Sequence, residues 1–159
     1  MMNAKAITAT IMPSLNLFLD SSALIAGIIS SQGAARVLLL LSEDNLIKLF
    51  ASEQVITEVE RNIARKAPKA ISFAREIILQ SRITVLRDPS QEDVNQNQDW
   101  ISHPADVPIL VAAVNAHVNF MISLDAKHFL DDAEVSRKCG LRIGTPGDAL
   151  AWVREQLAK

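Results

Sequence analysis

Short, compact apolar runs alternate along the chain with longer stretches in which apolar residues recur every three or four positions, the periods of buried strand and amphipathic helix. Residues 15–19 form an apolar run that stops at Asp20, as a buried parallel strand does where it meets polar surroundings. Ser21 or Ser22 then offers an N-cap for a helix over 21–30, and Gly33 leads into a second, largely apolar helix over 34–41. Residues 47–51 predict a second strand. Ser52 predicts the next cap, with Val55, Ile56, Val59 and Ile63 forming one helix face. Ala67-Pro68 breaks that helix, because the proline ring disfavours helical backbone at the residue before it, and helix resumes over 69–80.

Residues 83–86 predict a third strand, and the polar stretch 87–104 reads as a long loop. Residues 106–117 predict a helix rich in Ala, Val and Leu, with Pro108 in the first turn, where no amide donor is missed. A fourth strand over 119–124 ends at Asp125, 142–143 predict a short edge strand, and 146–157 a final amphipathic helix. Strands separated by helices require right-handed crossovers and a parallel sheet covered on both faces. The expected fold is therefore α/β, a three-layer α/β/α sandwich with a central parallel sheet of four or five strands. No repeat or low-complexity linker divides the chain. One domain is expected over 15–159, after a loose tail over 1–14.

Composition narrows the class. With 159 residues, 49% of them apolar, the chain can bury a substantial core. Its single cysteine, Cys139, excludes an intramolecular disulfide framework and any paired-cysteine metal site. From residue 6 to residue 35 the only charge is Asp20, as in the apolar region of a signal peptide or in a buried strand and helix. Pro13, Ser14 and Asn16 interrupt the run, and no stretch reaches the roughly 18 apolar residues of a membrane span, so the buried reading is preferred and a cytoplasmic protein is expected. A net charge of −2 gives no overall attraction to nucleic acid. Locally, however, Arg61, Arg65, Lys66, Lys69 and Arg75 follow one another with no acid between them, whereas residues 88–106 hold five acids and no Lys or Arg.

Ligands of open parallel sheets bind beyond the carboxyl ends of the strands. Asp20 and Asp125 both stand at such ends, Asp106 opens a helix, and Glu58 lies within one. Taken singly, an aspartate at a strand end or helix start is more often a cap than a ligand. Glu60 flanks the same apolar stripe as Glu58, on its other side, and helical geometry does not choose between them. Four carboxylates sharing a pocket would need a cation, and an all-oxygen site suits a hard divalent ion, Mg²⁺ or Mn²⁺. Ser22 and Ser123 could hydrogen-bond those carboxylates or a metal-bound water, and read equally as a helix cap and strand-end packing. Arg61, Arg65 and Lys69, at four-residue spacing, could follow a phosphate backbone, although Pro68 falls inside that run. His128 could approach a phosphate, although a lone histidine near a strand end is more often structural; Asp99 and His103, on the long loop, could reach the pocket but are expected in solvent.

Four blocks carry a family resemblance: Leu17-Phe18-Leu19-Asp20-Ser21-Ser22; Ser52-Glu53-Gln54-Val55-Ile56-Thr57-Glu58-Val59; Asp106-Val107-Pro108-Ile109-Leu110-Val111-Ala112-Ala113; and Phe120-Met121-Ile122-Ser123-Leu124-Asp125. In this order, with Lys127-His128-Phe129 after the last, they resemble the PIN-domain ribonucleases over about residues 15–150. The resemblance favours Glu58 over Glu60. It implies a metal-dependent endoribonuclease in which Asp20 and Asp125 are the most direct ligands of Mg²⁺ or Mn²⁺. Asp106 would complete the coordination and Glu58 would hold a metal-bound water or a second ion. It further implies an RNA substrate, an antitoxin protein as partner if the chain is a toxin-type member, and a homodimer. The alternative is an inactive PIN-like module that binds RNA or protein.

Overall fold

The structure, a computed structural model, describes residues 14–159, so all but Ser14 of the expected tail over 1–14 lies outside the described residues. Five parallel strands run in the order β3-β2-β1-β4-β5: β1 (Asn16–Leu19), β2 (Lys48–Ser52), β3 (Thr84–Leu86), β4 (Phe120–Ile122) and β5 (Ile143–Gly144). β1 is central, pairing Leu17 with Leu49 on one side and with Phe120 on the other. Leu17, Phe18, Leu19, Met121 and Ile122 are fully buried, which is why these two strands are apolar without alternation: both faces of the sheet are covered.

The first layer holds α1 (Ser21–Ile29), α2 (Ala34–Glu43), α3 (Glu53–Lys66), α4 (Ile71–Gln80) and α8 (Pro146–Leu157), with α1 packed on α2 and α3, α3 on α4, and α2 on α8. Right-handed crossovers place α5 (Gln91–Gln96), α6 (Val107–Asn115) and α7 (Ala133–Cys139) on the opposite face, with α6 packed on β2. The expected three-layer sandwich is the observed one. No single helix among the described residues is long and apolar enough to cross a membrane. Of the apolar run at 38–41, Leu38 and Leu39 are core and Leu40 is half exposed.

Several local expectations are corrected. Neither Ser21 nor Ser22 caps α1: Asp20 does, its Oδ1 accepting from the Ala23 amide at 2.9 Å. Ser52 ends β2 and also caps α3, accepting from the Val55 amide. After the break at Ala67, a 3₁₀ turn (Pro68–Ala70) precedes α4, so that helix starts at Ile71 rather than at residue 69. The stretch expected to be one long loop contains α5, capped by Ser90 and pinned by buried Val94. Its single apolar anchor leaves no periodicity to detect. Asp106 ends a 3₁₀ turn (Pro104–Asp106), and its side chain caps nothing. A π-helical turn (Ala126–Leu130) and α7 occupy a stretch whose hydrophobic pattern predicts no element.

Candidate metal centre

The strand order reverses direction between β1 and β4, and at such a switch point the connections leave on opposite faces and open a crevice at the strands' carboxyl ends. Asp20 follows β1 and Asp125 follows shortly after β4, so both aspartates flank that crevice. Asp106 enters from the opposite layer at the head of α6, and Glu58 from α3 in the first layer.

Asp20 is 3% exposed. Ser123 Oγ donates to its Oδ2 at 2.5 Å and Ser22 Oγ donates to its Oδ1 at 2.7 Å. Each hydroxyl is fixed in turn by an amide: Ser123 Oγ accepts from Asp125 N at 2.9 Å, and Ser22 Oγ from Leu124 N at 3.0 Å. The two serines thus tie the β1 aspartate to the segment carrying Asp125. Burial raises the pKa of Asp20, against the hydrogen bonds from Ser123, Ala23 and Ser22, and the nearby charge of Asp125 raises it further. Asp106 is also raised by burial, against the opposing pull of His128 and His103, and again Asp125 adds to the rise. Asp125 is therefore coupled electrostatically to both other aspartates. Its own Oδ1 accepts from the His128 amide at 3.1 Å, capping the π turn.

Asp106 Oδ2 is buried and has no hydrogen-bond partner. Around it stand His128 Nδ1 at 2.7 Å and His103 Nδ1 at 3.4 Å, while His128 Nδ1 also lies 3.2 Å from Asp125 Oδ2. The two imidazole rings stack with centroids 4.2 Å apart. Ligand atoms of Asp106, His103 and His128 lie within 4.8 Å of one another, and Asp125 Oδ2 is 3.2 Å from His128 Nδ1, so oxygens of two aspartates and a ring nitrogen are near enough to hold a divalent cation.

Glu58 stands at the flank of this cluster. Gln54 Nε2 donates to Glu58 Oε1 at 3.1 Å and to the carbonyl of Ala105 at 2.9 Å, linking α3 to the residue before Asp106. Glu58 also lines a cleft of about 240 Å³ with Ser21, Arg61, Asn62 and Arg65. Glu60 is engaged elsewhere, paired with Arg75 of α4 at 3.0 Å. Arg61 and Arg65 share the cleft face of α3. Lys69 lies past the helix break and does not line this cleft, so the three-residue basic stripe is not continuous. Asp99 and His103 are both exposed, as expected, but His103 also stands 3.4 Å from Asp106 and stacks on His128. No spacing in the sequence could have joined His103 to His128, since a helix and a strand separate them.

Beside the site runs an apolar groove of about 670 Å³, lined among others by Ile25, Ile28, Ile29, Ile63, Phe73 and Leu124. Ser21 and Ser22 border it as well, so it opens next to Asp20.

A family model described as PIN domain matches residues 16–127, a span containing Asp20, Glu58, Asp106 and Asp125. Among solved structures, the chain superposes on PAE2754 from Pyrobaculum aerophilum with a TM-score of 0.62 and 17% identity, over 89% of this chain and 90% of that one. It superposes on VapBC2 from Rickettsia felis, crystallised with a DNA fragment from their promoter, with a TM-score of 0.60 and 14% identity, over 82% of this chain and 98% of that one. At such identities these likenesses speak for the fold alone. No curated protein sequence matches the chain.

Proposed function

The chain belongs to the PIN domain family, and from that premise we propose that it is a metal-dependent endoribonuclease that hydrolyses RNA phosphodiester bonds at Asp20, Glu58, Asp106 and Asp125. The observation that carries this reading is that Asp125 lies near both Asp20 and Asp106, two aspartates whose pKa values burial raises, beside a buried Asp106 oxygen that no hydrogen bond satisfies. Burial that penalises charge on Asp20 and Asp106 is tolerable in an active protein if a cation joins them. Asp20 and Asp125 would hold Mg²⁺ or Mn²⁺ most directly, Asp106 would complete the set, and Glu58 would hold a bound water. Such an ion supplies an acidified water and neutralises charge developing on the phosphate.

The chain's own groups supply the positioning. Ser22 and Ser123 fix both oxygens of Asp20, so its orientation does not depend on the ion. Arg61 and Arg65, exposed on the cleft beside Glu58, would hold the RNA backbone as point charges without reading sequence.

The fold shared with VapBC2 and the apolar groove beside Asp20 support a toxin-type nuclease held by an antitoxin protein. A homodimer belongs to the same reading, and light scattering tests it. The deciding experiment is cleavage of single-stranded and structured RNA by purified protein with Mg²⁺, Mn²⁺ or EDTA, alongside Asp20→Asn and Asp125→Asn. Cutting that needs the metal and is lost in both variants is expected. Cutting that survives EDTA or either substitution would overturn the assignment, and RNA binding without cutting would identify an inactive module.

A further inference from the structure

We propose that His103 is a stacking platform for the RNA, carrying the base of a nucleotide that flanks the bond to be cut. This contact belongs to the ribonuclease site proposed above and rests on that reading. Proteins hold single-stranded RNA by laying unstacked bases on aromatic faces, histidine among them, because every base has a flat π-face whatever its identity. Such faces are scarce near the centre. Phe18, Phe120 and Phe129 are core residues, Phe50, Trp100 and Trp152 pack against the core, and half-exposed Phe73 lines the apolar groove. His117 follows the far end of α6. His103 is left as the ring that stands at the centre with half its side chain in solvent.

That ring is exposed and yet held. One face stacks on His128, with centroids 4.2 Å apart and planes 20° from parallel, so its exposure lies on the outer face and the free edge. Its Nδ1 is 3.4 Å from Asp106 Oδ2, and His128 Nδ1 is 2.7 Å from the same oxygen, so one carboxylate anchors the inner edges of both rings. Pro104 confines the His103 backbone to extended conformations, here φ −90° and ψ 111°, and the His103 carbonyl accepts from the Asp106 amide at 3.0 Å. A side chain half in solvent gains little burial from being fixed at ring, backbone and carbonyl. A ring fixed in advance does lower the entropic cost of receiving a flat ligand. A base on the outer face would add one layer to the His128–His103 stack and bring its nucleotide beside Asp106. Any base could occupy it, so the contact positions the strand without choosing its sequence.

The test compares His103→Ala with His103→Phe, which keeps a flat ring but has no nitrogen for Asp106 or a metal. Single-stranded RNA of randomised sequence is cut with Mg²⁺ or Mn²⁺, and sequencing of the products locates the preferred bond. A short RNA containing that bond then serves for kcat/KM. The same RNA with 2-aminopurine at a flanking base, whose fluorescence stacking quenches, is titrated with EDTA-treated protein. Loss of one base–aromatic stack weakens binding about fivefold to 150-fold. His103→Ala should therefore lose about fivefold or more in kcat/KM and most of the quenching, while His103→Phe stays within about twofold of wild type in both. An abasic site at the quenched position should slow wild type by a similar factor and slow His103→Ala no further. Equal kcat/KM and quenching in His103→Ala and wild type overturn the proposal, as does a His103→Phe variant as impaired as His103→Ala. In either case metal-dependent cutting by wild type leaves the nuclease centre standing. Wild type that cuts none of the randomised RNA overturns both.

Discussion

Ser123→Ala probes the site at its most buried joint. The hydroxyl is fully buried, donates to Asp20 Oδ2 at 2.5 Å and accepts from the Asp125 amide at 2.9 Å. A hydrogen bond to a charged acceptor is worth about 1.5–3 kcal/mol, and a neutral one about 1 kcal/mol. Asp125 is partly exposed, so water can recover much of its amide's loss, and the bond to Asp20 dominates. At a pH where Asp20 is ionised the metal-free variant should lose about 2–3 kcal/mol, or roughly 4–12 °C in Tm for a chain of this size. The deficit should depend on pH. Ser123 pulls down the pKa of Asp20 that burial raises, so its removal lets the variant bind that proton at higher pH. Once Asp20 is protonated in both proteins only a neutral bond separates them, so the deficit shrinks toward about 1 kcal/mol as pH falls. Urea unfolding of EDTA-treated protein from about pH 5 to about pH 9 measures this. A deficit below about 0.5 kcal/mol, or one constant across that range, would refute the reasoning that the hydroxyl stabilises a buried carboxylate.

Three other outcomes are expected. For EDTA-treated protein, the stability of Asp20→Asn minus that of wild type should rise with pH. A carboxyl whose pKa is raised on folding contributes stability below its ordinary value near 3.8, and that contribution is lost as pH climbs through the raised pKa; a flat or falling difference in urea midpoints opposes this. Gly27→Ala should destabilise by about 1 kcal/mol although alanine is the better helix former. Its Cβ would meet the buried Leu39 Cδ1 at 2.8 Å and the Ala35 carbonyl at 3.3 Å, an overlap costing about 1–3 kcal/mol against roughly 1 kcal/mol of propensity; a Tm above wild type contradicts it. Replacing Arg61 and Arg65 together by Ala should leave Tm within about a degree. It should also lower the salt dependence of single-stranded RNA binding by about 1.4 in log–log slope, and an unchanged slope in filter binding would remove these arginines from the RNA path.

Periodicity and punctuation are properties of neighbouring residues, so the order of the elements is legible in the amino-acid sequence alone. The unbroken apolar run that stops at Asp20 fits a strand buried on both faces, and alternating strands and helices leave the parallel sandwich as the solution. That Asp20 and Asp125 flank one crevice follows from the same logic, because parallel strands end on one edge. What chain order does not contain is distance across the fold. Ser123 and Asp20 are 103 positions apart, and their hydrogen bond exists because β4 pairs beside β1. Glu58 and Glu60 are equivalent by helical spacing, and what separates them is the packing of α3, which turns one toward Gln54 and the cleft and the other toward Arg75. The short α5, held by a single buried valine, has no periodicity to reveal it. His103 reads as a solvated loop residue and joins the cluster only because the turn leading into α6 brings it onto His128. Local preference is a sum over adjacent residues and is recorded in their order. The stacking of two rings separated along the chain by a helix and a strand is a property of the closed fold, and only the tertiary structure decides it.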